Sequence, residues 1–125
     1  MSKWQAKSLV TGIALTVLLT AGSSAHAEPM RCEIKSKFNC TPAGCVPNTL
    51  GVFNLVDPDA GTFSRCDQND CDEYEAKITR SGAYLVVEVP GRGVLAKLSL
   101  NGAEYVEIAT IGTAVLVSFG ACRDE

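Results

Sequence analysis

Apolar and polar residues alternate in short runs along most of the chain, and turn-forming residues separate these runs about every ten to twelve positions after residue 40. This spacing is typical of all-β proteins. No segment after residue 27 keeps a helical period over more than one turn. The pattern therefore predicts an all-β fold, a small antiparallel meander of about eight short strands that forms a barrel or a sandwich.

The predicted strands follow from the alternation and from the turns between them. They are Cys32–Cys40, Leu50–Val56, Thr62–Cys66, Tyr74–Arg80, Ala83–Val89, Val94–Leu100, Ala103–Thr110 and Thr113–Phe119. The Pro- and Gly-containing segment 41–49 is expected to be a loop. The run 84–87 is apolar on both faces, which favours a central position in the sheet.

The strongest local signal is Asn101-Gly102 between two alternating runs. This pair predicts a two-residue type I′ hairpin, in which both turn residues have positive φ. Pairing outward from the turn places Leu98 opposite Tyr105, and it places Glu107 on an otherwise apolar face. We therefore expect Glu107 at the rim of the sheet or on its outer side, unless a bulge shifts the register.

The N-terminal segment predicts export. Lys3 and Lys7 precede an apolar run over residues 8–20, and Ala25-His26-Ala27 forms a small-residue cleavage site, so residues 1–27 have the three parts of a secretory signal peptide. The apolar run is too short to span a bilayer. We expect a single soluble β domain over residues 28–125, secreted or periplasmic and without a membrane anchor.

Composition narrows the functional classes. The complete chain has a formal charge of −3, and removal of residues 1–27 makes it −5 and takes away the single Trp and the single His. Catalysis by Ser-His-Asp or Cys-His groups and His-ligated zinc need a residue that the mature chain lacks. The negative charge argues against nucleic acid as a partner. We expect no cofactor and no enzymatic activity.

All six cysteines lie after residue 27, which predicts up to three disulfides in an exported protein. Turn formers separate Cys40 from Cys45 and Cys66 from Cys71, so two local bridges are favoured, with Cys32–Cys122 joining the two ends. A crossed pattern between the two local pairs is the alternative. Redox or zinc chemistry at the C-x4-C pairs is disfavoured, because neither has C-x-x-C spacing and exported thiols are oxidised.

Carboxylates suggest two further sites. Five of them lie within residues 67–75, and Asp67, Asp70 and Asp72 make a weak candidate for a calcium site, although the spacing departs from an EF-hand loop. Solvated turns with local hydrogen bonds explain the same residues. Glu88 and Glu107 are candidates for a carboxylate-dependent hydrolase, because burial in a strand raises the pKa of a carboxyl group.

The segment Asn101-Gly102-Ala103-Glu104-Tyr105 is similar to the Ser-Gly-Ala-x-Tyr loop of periplasmic inhibitors of c-type lysozyme, which are small exported β-barrels. The similarity covers five residues, with Asn101 where that family has Ser, and the family's lysine-containing motif has no counterpart here. An Asn-Gly hairpin accounts for these residues equally well. The sequence therefore assigns no family, and no site is carried over.

These observations predict a small exported, non-enzymatic binding or structural module whose partner is a protein or a small ligand. Inhibition of a secreted or periplasmic hydrolase such as lysozyme is the alternative, in which the acidic segment 67–75 would supply charges for a basic enzyme. A carboxylate-dependent hydrolase and a calcium-stabilised adhesion domain are further alternatives.

Overall fold

The computed structural model describes residues 28–49 and 51–125, together with residues 12 and 14. Apart from those two residues, the signal peptide predicted over 1–27 lies outside the described residues, as does Leu50. The described residues form ten strands. They are β1 (Met30–Thr41), β2 (Gly44–Pro47), β3 (Phe53–Asp57), β4 (Thr62–Cys66), β5 (Cys71–Glu75), β6 (Lys77–Ser81), β7 (Tyr84–Val89), β8 (Val94–Ser99), β9 (Tyr105–Ile111) and β10 (Ala114–Asp124).

The strands pair in one antiparallel sheet of order β5-β4-β3-β1-β10-β9-β8-β7-β6, and β2 pairs with the end of β1. The two outermost strands, β5 and β6, are consecutive along the chain with Ala76 between them, and the Ala76 amide donates to the Gly61 carbonyl at 2.9 Å. Before Ala76 the chain pairs with β4 as strand β5, and after Ala76 it pairs with β7 as strand β6. The sheet is therefore nearly closed into a barrel, and the all-β antiparallel prediction is confirmed.

The long terminal strands β1 and β10 join the two halves of the sheet. They pair from Met30 opposite Asp124 to Cys40 opposite Val115, and the register shifts between Ile34 and Ser36. Such a bulge inserts an extra residue on one strand and bends the sheet. The barrel is thus assembled from two meanders, each continuous in sequence, that meet along β1 and β10.

The core occupies the interior of this curved sheet. Alternate residues of each strand point inward because the side-chain period of a strand is two. The buried apolar side chains include Met30, Cys32, Ile34, Val56, Phe63, Val87, Val89, Ala96, Leu98, Tyr105, Ala109 and Cys122. Phe63 is the largest of the fully buried ones.

Two predicted segments divide differently in the structure. The expected loop 41–49 contains β2, which folds back on β1 as a hairpin, and Pro47 is tolerated there because β2 is short and exposed. The strand expected from Tyr74 starts earlier, at Cys71, and is interrupted at Ala76. These two differences explain why ten strands form where about eight were predicted.

Candidate functional site

Three disulfides bind the sheet together: Cys32–Cys122, Cys40–Cys45 and Cys66–Cys71. In each bridge the two cysteines are directly opposite one another on neighbouring antiparallel strands. The local pattern favoured from the sequence is therefore confirmed, and the crossed pattern is wrong. Three intramolecular disulfides indicate a protein of an oxidising compartment.

Glu107 lies inside the barrel rather than at its rim or on its outer side, so that expectation was wrong. The predicted register is correct, with Leu98 opposite Tyr105 and Ala96 opposite Glu107, and no bulge intervenes on these strands. The Glu107 side chain is 1% exposed. A buried carboxylate is tolerated when it is paired and hydrogen-bonded.

Four polar side chains from three strands form a buried network around Glu107. Arg65 Nη2 donates to Glu107 Oε2 at 3.1 Å. The Tyr105 hydroxyl donates to Glu107 Oε1 at 2.9 Å. Asn54 Nδ2 donates to Glu107 Oε1 at 3.0 Å and to the Tyr105 hydroxyl oxygen at 2.9 Å. This network ties β3, β4 and β9 together across the interior.

The buried surroundings shift the pKa of two groups, Tyr105 in the network and Lys37 beside it. Burial, followed by the Glu107 charge and its hydrogen bond, raises the pKa of Tyr105 well above the usual tyrosine value. Burial and the Arg65 charge lower the pKa of Lys37, while Glu107 partly opposes this change. The interior therefore favours a neutral Tyr105 hydroxyl, which can keep donating to the carboxylate.

We expect stability to fall at alkaline pH because of Tyr105. Its pKa is higher in the folded than in the unfolded protein, so its contribution is complete below the unfolded value, near pH 10, and is lost as the pH rises further. Equilibrium unfolding in denaturant above pH 10 measures the loss. In the Tyr105→Phe variant the fall attributable to this group should vanish, and an identical alkaline slope in both proteins would contradict the assignment.

The structure does not bring Glu88 and Glu107 together. Glu88 is exposed on the outer side of β7, whereas Glu107 faces the interior and is paired with Arg65. Glycoside hydrolysis needs two carboxyl groups on either side of one bond. The paired-carboxylate site considered for a hydrolase therefore does not form from these two residues.

The acidic segment 67–75 forms an exposed turn and strand β5. Asp67 Oδ1 accepts hydrogen bonds from the amides of Asn69 and Asp70 at 2.8 Å each, and Asp70 Oδ1 accepts from the Cys71 amide. The two amide bonds to Asp67 Oδ1 lower the pKa of Asp67. Within residues 28–49 and 51–125 no group of three or more metal-binding side chains is positioned to hold an ion, and calcium binding stays a prediction.

The β8–β9 loop differs in turn type from the predicted hairpin. None of the described non-glycine residues has positive φ, so Asn101 does not adopt the type I′ conformation. Ser99 and Glu104 instead close a four-residue loop, with the Ser99 amide donating to the Glu104 carbonyl at 3.0 Å. Asn101 Oδ1 accepts from the Ser99 hydroxyl at 2.7 Å and from the Ala103 amide at 3.0 Å.

Gly102 fastens this loop to β10. Its φ is +75°, and its carbonyl accepts a hydrogen bond from the Cys122 amide at 2.7 Å. A Cβ at this position would lie 2.2 Å from the Cys122 carbonyl oxygen. The loop is therefore packed against the backbone beside the Cys32–Cys122 bridge.

The Gly102→Ala variant is expected to lose about 2 to 3 kcal/mol of unfolding free energy, from positive φ and from the contact with the Cys122 backbone. Gly82→Ala is the matched control, because Gly82 also has positive φ, at +60°, but no atom lies within 4 Å of the added Cβ. Its expected loss is about 1 kcal/mol. Chemical denaturation of both variants checks the difference, and equal losses would be inconsistent with the close approach.

Two adjoining grooves flank the β8–β9 loop. One, of about 410 Å³, includes Lys97, Val106 and Phe119, and the other, of about 440 Å³, includes Leu100. Tyr84, Ala103 and Glu104 line both. We call the two grooves and the loop residues 100–104 the loop surface.

The loop surface combines charged, aromatic and apolar groups. The Lys97 ammonium lies 4.3 Å from the centre of the Tyr84 ring, and the Tyr84 hydroxyl is 3.5 Å from Glu104 Oε2. Phe119 is 46% exposed and Leu100 is 41% exposed. Such a mixture of aromatic and polar groups is characteristic of binding surfaces.

Sequence reasoning missed both the partners of Glu107 and the loop surface. The sequence did contain a signal for Arg65, because it is two residues after Phe63 in a short strand and therefore lies on the same face as Phe63. Lys97 and Tyr84 gave no comparable signal, because their proximity depends on the β7–β8 register.

These features define a disulfide-bonded, all-β domain with a partly buried ion pair in its barrel and a hydrogen-bonded loop at the end of one hairpin. No protein-family model, curated protein or solved structure matches the chain. Among the described residues there is no helix long and apolar enough to cross a membrane.

Proposed function

We propose that the protein is a small exported binding module, secreted or periplasmic, that binds its partner through the loop surface. The proposal rests on how loop 100–104 is held. The Gly102 carbonyl accepts a hydrogen bond from the Cys122 amide of β10, while Leu100 stays exposed. The partner is a protein or a small ligand.

Rigidity favours binding because little conformational entropy is lost when a prearranged loop meets its partner. Here the Ser99–Glu104 backbone hydrogen bond closes the loop at its base, and the bond from the Cys122 amide to the Gly102 carbonyl holds its middle against β10. The groups beside it can contribute in distinct ways. Phe119 and Leu100 supply apolar contact, and Lys97 and Glu104 supply charges of opposite sign.

A second candidate function is inhibition of a basic secreted hydrolase such as lysozyme. The exposed acidic segment 67–75 favours it, because all five carboxylates of that segment reach solvent and the turn is ordered by Asp67. Complementary charge accelerates association and selects partners. The similarity of residues 101–105 to the lysozyme-inhibitor loop offers the same enzyme as the first probe.

The test measures the rate at which a c-type lysozyme hydrolyses a peptidoglycan suspension in the presence of the mature protein. Leu100→Asp alters the loop surface, and the double variant Glu73→Gln/Glu75→Gln removes two exposed charges from β5. Val46→Asp is the control, because Val46 is 59% exposed on β2 and lines neither groove. Binding through the loop surface predicts at least a tenfold weaker inhibition by Leu100→Asp and no change with Val46→Asp.

Weakening by the β5 variant alone, with a steep salt dependence, would support the acidic segment as the binding surface instead. Absence of inhibition by the wild-type protein would remove lysozyme as the partner. The same three variants then serve in affinity capture from a secreted or periplasmic fraction. A partner retained by wild type and Val46→Asp but lost with Leu100→Asp is expected, and equal capture by all variants would overturn the loop-surface proposal.

A further inference from the structure

Asn101 is the only asparagine of the chain that is followed by glycine. In an Asn-Gly pair the backbone nitrogen of glycine can attack the asparagine carboxamide, because no side chain on the glycine hinders its approach. Asparagine is among the thermolabile residues of proteins. Asn101 is exposed to solvent in the β8–β9 loop, so it is a candidate site of chemical modification.

The reaction balances with water as its only co-reactant. The Gly102 nitrogen forms a bond to Asn101 Cγ, and the bond from Cγ to the carboxamide nitrogen breaks. Ammonia leaves and takes the proton that the Gly102 nitrogen has lost, so that a five-membered succinimide ring remains. Water then opens this ring at either carbonyl and gives aspartate or isoaspartate at position 101.

The attacking nitrogen is blocked while the loop is closed. Gly102 is buried, its N–H donates to the Ser99 carbonyl at 2.9 Å, and its carbonyl accepts from the Cys122 amide at 2.7 Å. Loss of the Gly102 proton needs contact with solvent, and attack needs rotation of the peptide unit between Asn101 and Gly102. Both require that these hydrogen bonds break first, which is a local opening of the loop.

The carboxamide under attack is held as well. Asn101 Oδ1 accepts from the Ser99 hydroxyl at 2.7 Å and from the Ala103 amide at 3.0 Å. Two such donors also polarise the carboxamide and stabilise negative charge that develops on Oδ1 during attack. This polarisation does not start the reaction in the closed loop, because the Gly102 nitrogen is still bonded to Ser99. The blocked nitrogen therefore determines the rate.

We propose that Asn101 is a modification site that the closed loop protects, and that it converts to aspartate or isoaspartate only after the loop opens. Isoaspartate prevents the loop from closing again, because it inserts an extra carbon atom into the backbone before Gly102. The backbone there has no free space, since even a Cβ on Gly102 would lie 2.2 Å from the Cys122 carbonyl oxygen. Opening followed by conversion to isoaspartate is thus permanent.

Incubation of the mature, oxidised protein in mildly alkaline buffer tests this inference, which does not depend on what the loop surface binds. Replacement of the carboxamide NH2 by OH changes the intact mass, and peptide mapping locates the change. The same incubation in denaturant gives the rate of the open chain. Conversion of the native protein is expected to be slower by about tenfold or more. Equal rates, or a denatured chain in which Asn101 does not convert, would overturn the proposal.

Ser99→Ala separates protection of the loop from polarisation of the carboxamide. It removes the hydroxyl that donates to Asn101 Oδ1 and that accepts from the Glu104 amide at 3.0 Å. Its native conversion is expected to be several-fold faster than that of wild type, with an unchanged rate in denaturant. Slower or unchanged native conversion would overturn the proposal and would assign the hydroxyl to acceleration of the reaction.

Ser81→Ala is the matched control, because Ser81 is exposed at the end of β6, beside a different turn. It is expected to convert like wild type, and far-ultraviolet circular dichroism confirms that each variant is folded. Equal acceleration by Ser81→Ala would contradict the assignment to this loop. In the isolated isoaspartate product, the Cys122 amide is expected to exchange with solvent faster than in the unconverted protein, and unchanged protection would contradict the loss of closure.

Discussion

Removing the Cys32–Cys122 bridge is expected to lower the free energy of unfolding by about 4 to 5 kcal/mol in the loop-entropy account of disulfides. The bridge joins residues 90 positions apart, whereas each of the other two spans five positions. Cys40–Cys45 contributes about 2 kcal/mol on the same basis. The double variant Cys32→Ala/Cys122→Ala therefore gives the largest expected loss among the disulfide variants.

Denaturant unfolding of the oxidised double variant measures this loss, and Cys40→Ala/Cys45→Ala is the matched control. Cys32 and Cys122 are also buried, at 0% and 8% exposure, so their replacement removes packing as well as the cross-link. Equal losses in the two double variants would contradict the loop-length argument and would indicate residual structure in the unfolded chain.

Arg65→Met is expected to lower the free energy of unfolding by about 3 kcal/mol, because it leaves the buried Glu107 carboxylate without its cation. Arg65 itself is 27% exposed, so part of its charge is already solvated. The control is Arg123→Met, which breaks a surface pair to Glu33 whose side chains are 69% and 50% exposed. Its expected cost is about 0.5 kcal/mol or less.

The double variant Arg65→Met/Glu107→Gln separates the ion pair from packing. Glutamine keeps an oxygen that can accept from Tyr105 and Asn54 while removing the buried charge. The double variant should therefore be more stable than Arg65→Met alone, by about 1 to 2 kcal/mol, and the cycle gives the coupling energy. Simple additivity of the two single losses would show that the pair acts independently.

The fold could be predicted from local patterns where a strand has one apolar face and a clear turn at each end. Thr62–Cys66 is an example, since its boundaries match β4 in the structure. Residues 41–49 were predicted to be a loop, but Pro and Gly also occur in short exposed hairpins. In the structure this segment contains β2, which pairs with β1 and is linked to it by the Cys40–Cys45 disulfide. The register at residues 96–107 was predicted correctly although the turn was not, because the four-residue loop in the structure has the same centre, between Asn101 and Gly102, as the predicted two-residue turn.

The environment of Glu107 could not be predicted in the same way. Register alone placed it on the apolar face, but its partner Arg65 lies 42 residues earlier on a strand that is not adjacent to β9 in the sheet. Contacts across the interior depend on how the barrel closes, which local alternation does not encode. The loop surface was missed for a related reason, because Tyr84, Lys97 and Phe119 come from three strands.

The bridge between β1 and β10 makes the segment from Cys32 to Cys122 a covalent ring. Met30 is opposite Asp124, and the Glu125 amide donates to the Pro29 carbonyl at 3.0 Å, so residues 29 and 125 lie beside this bridge. Exposed turns such as 90–93 are preferred points of proteolytic cleavage. One cut there opens the ring without releasing a fragment, because each half remains attached to the other through Cys32–Cys122. A protein built in this way keeps both pieces of its barrel together after a single cleavage by a protease.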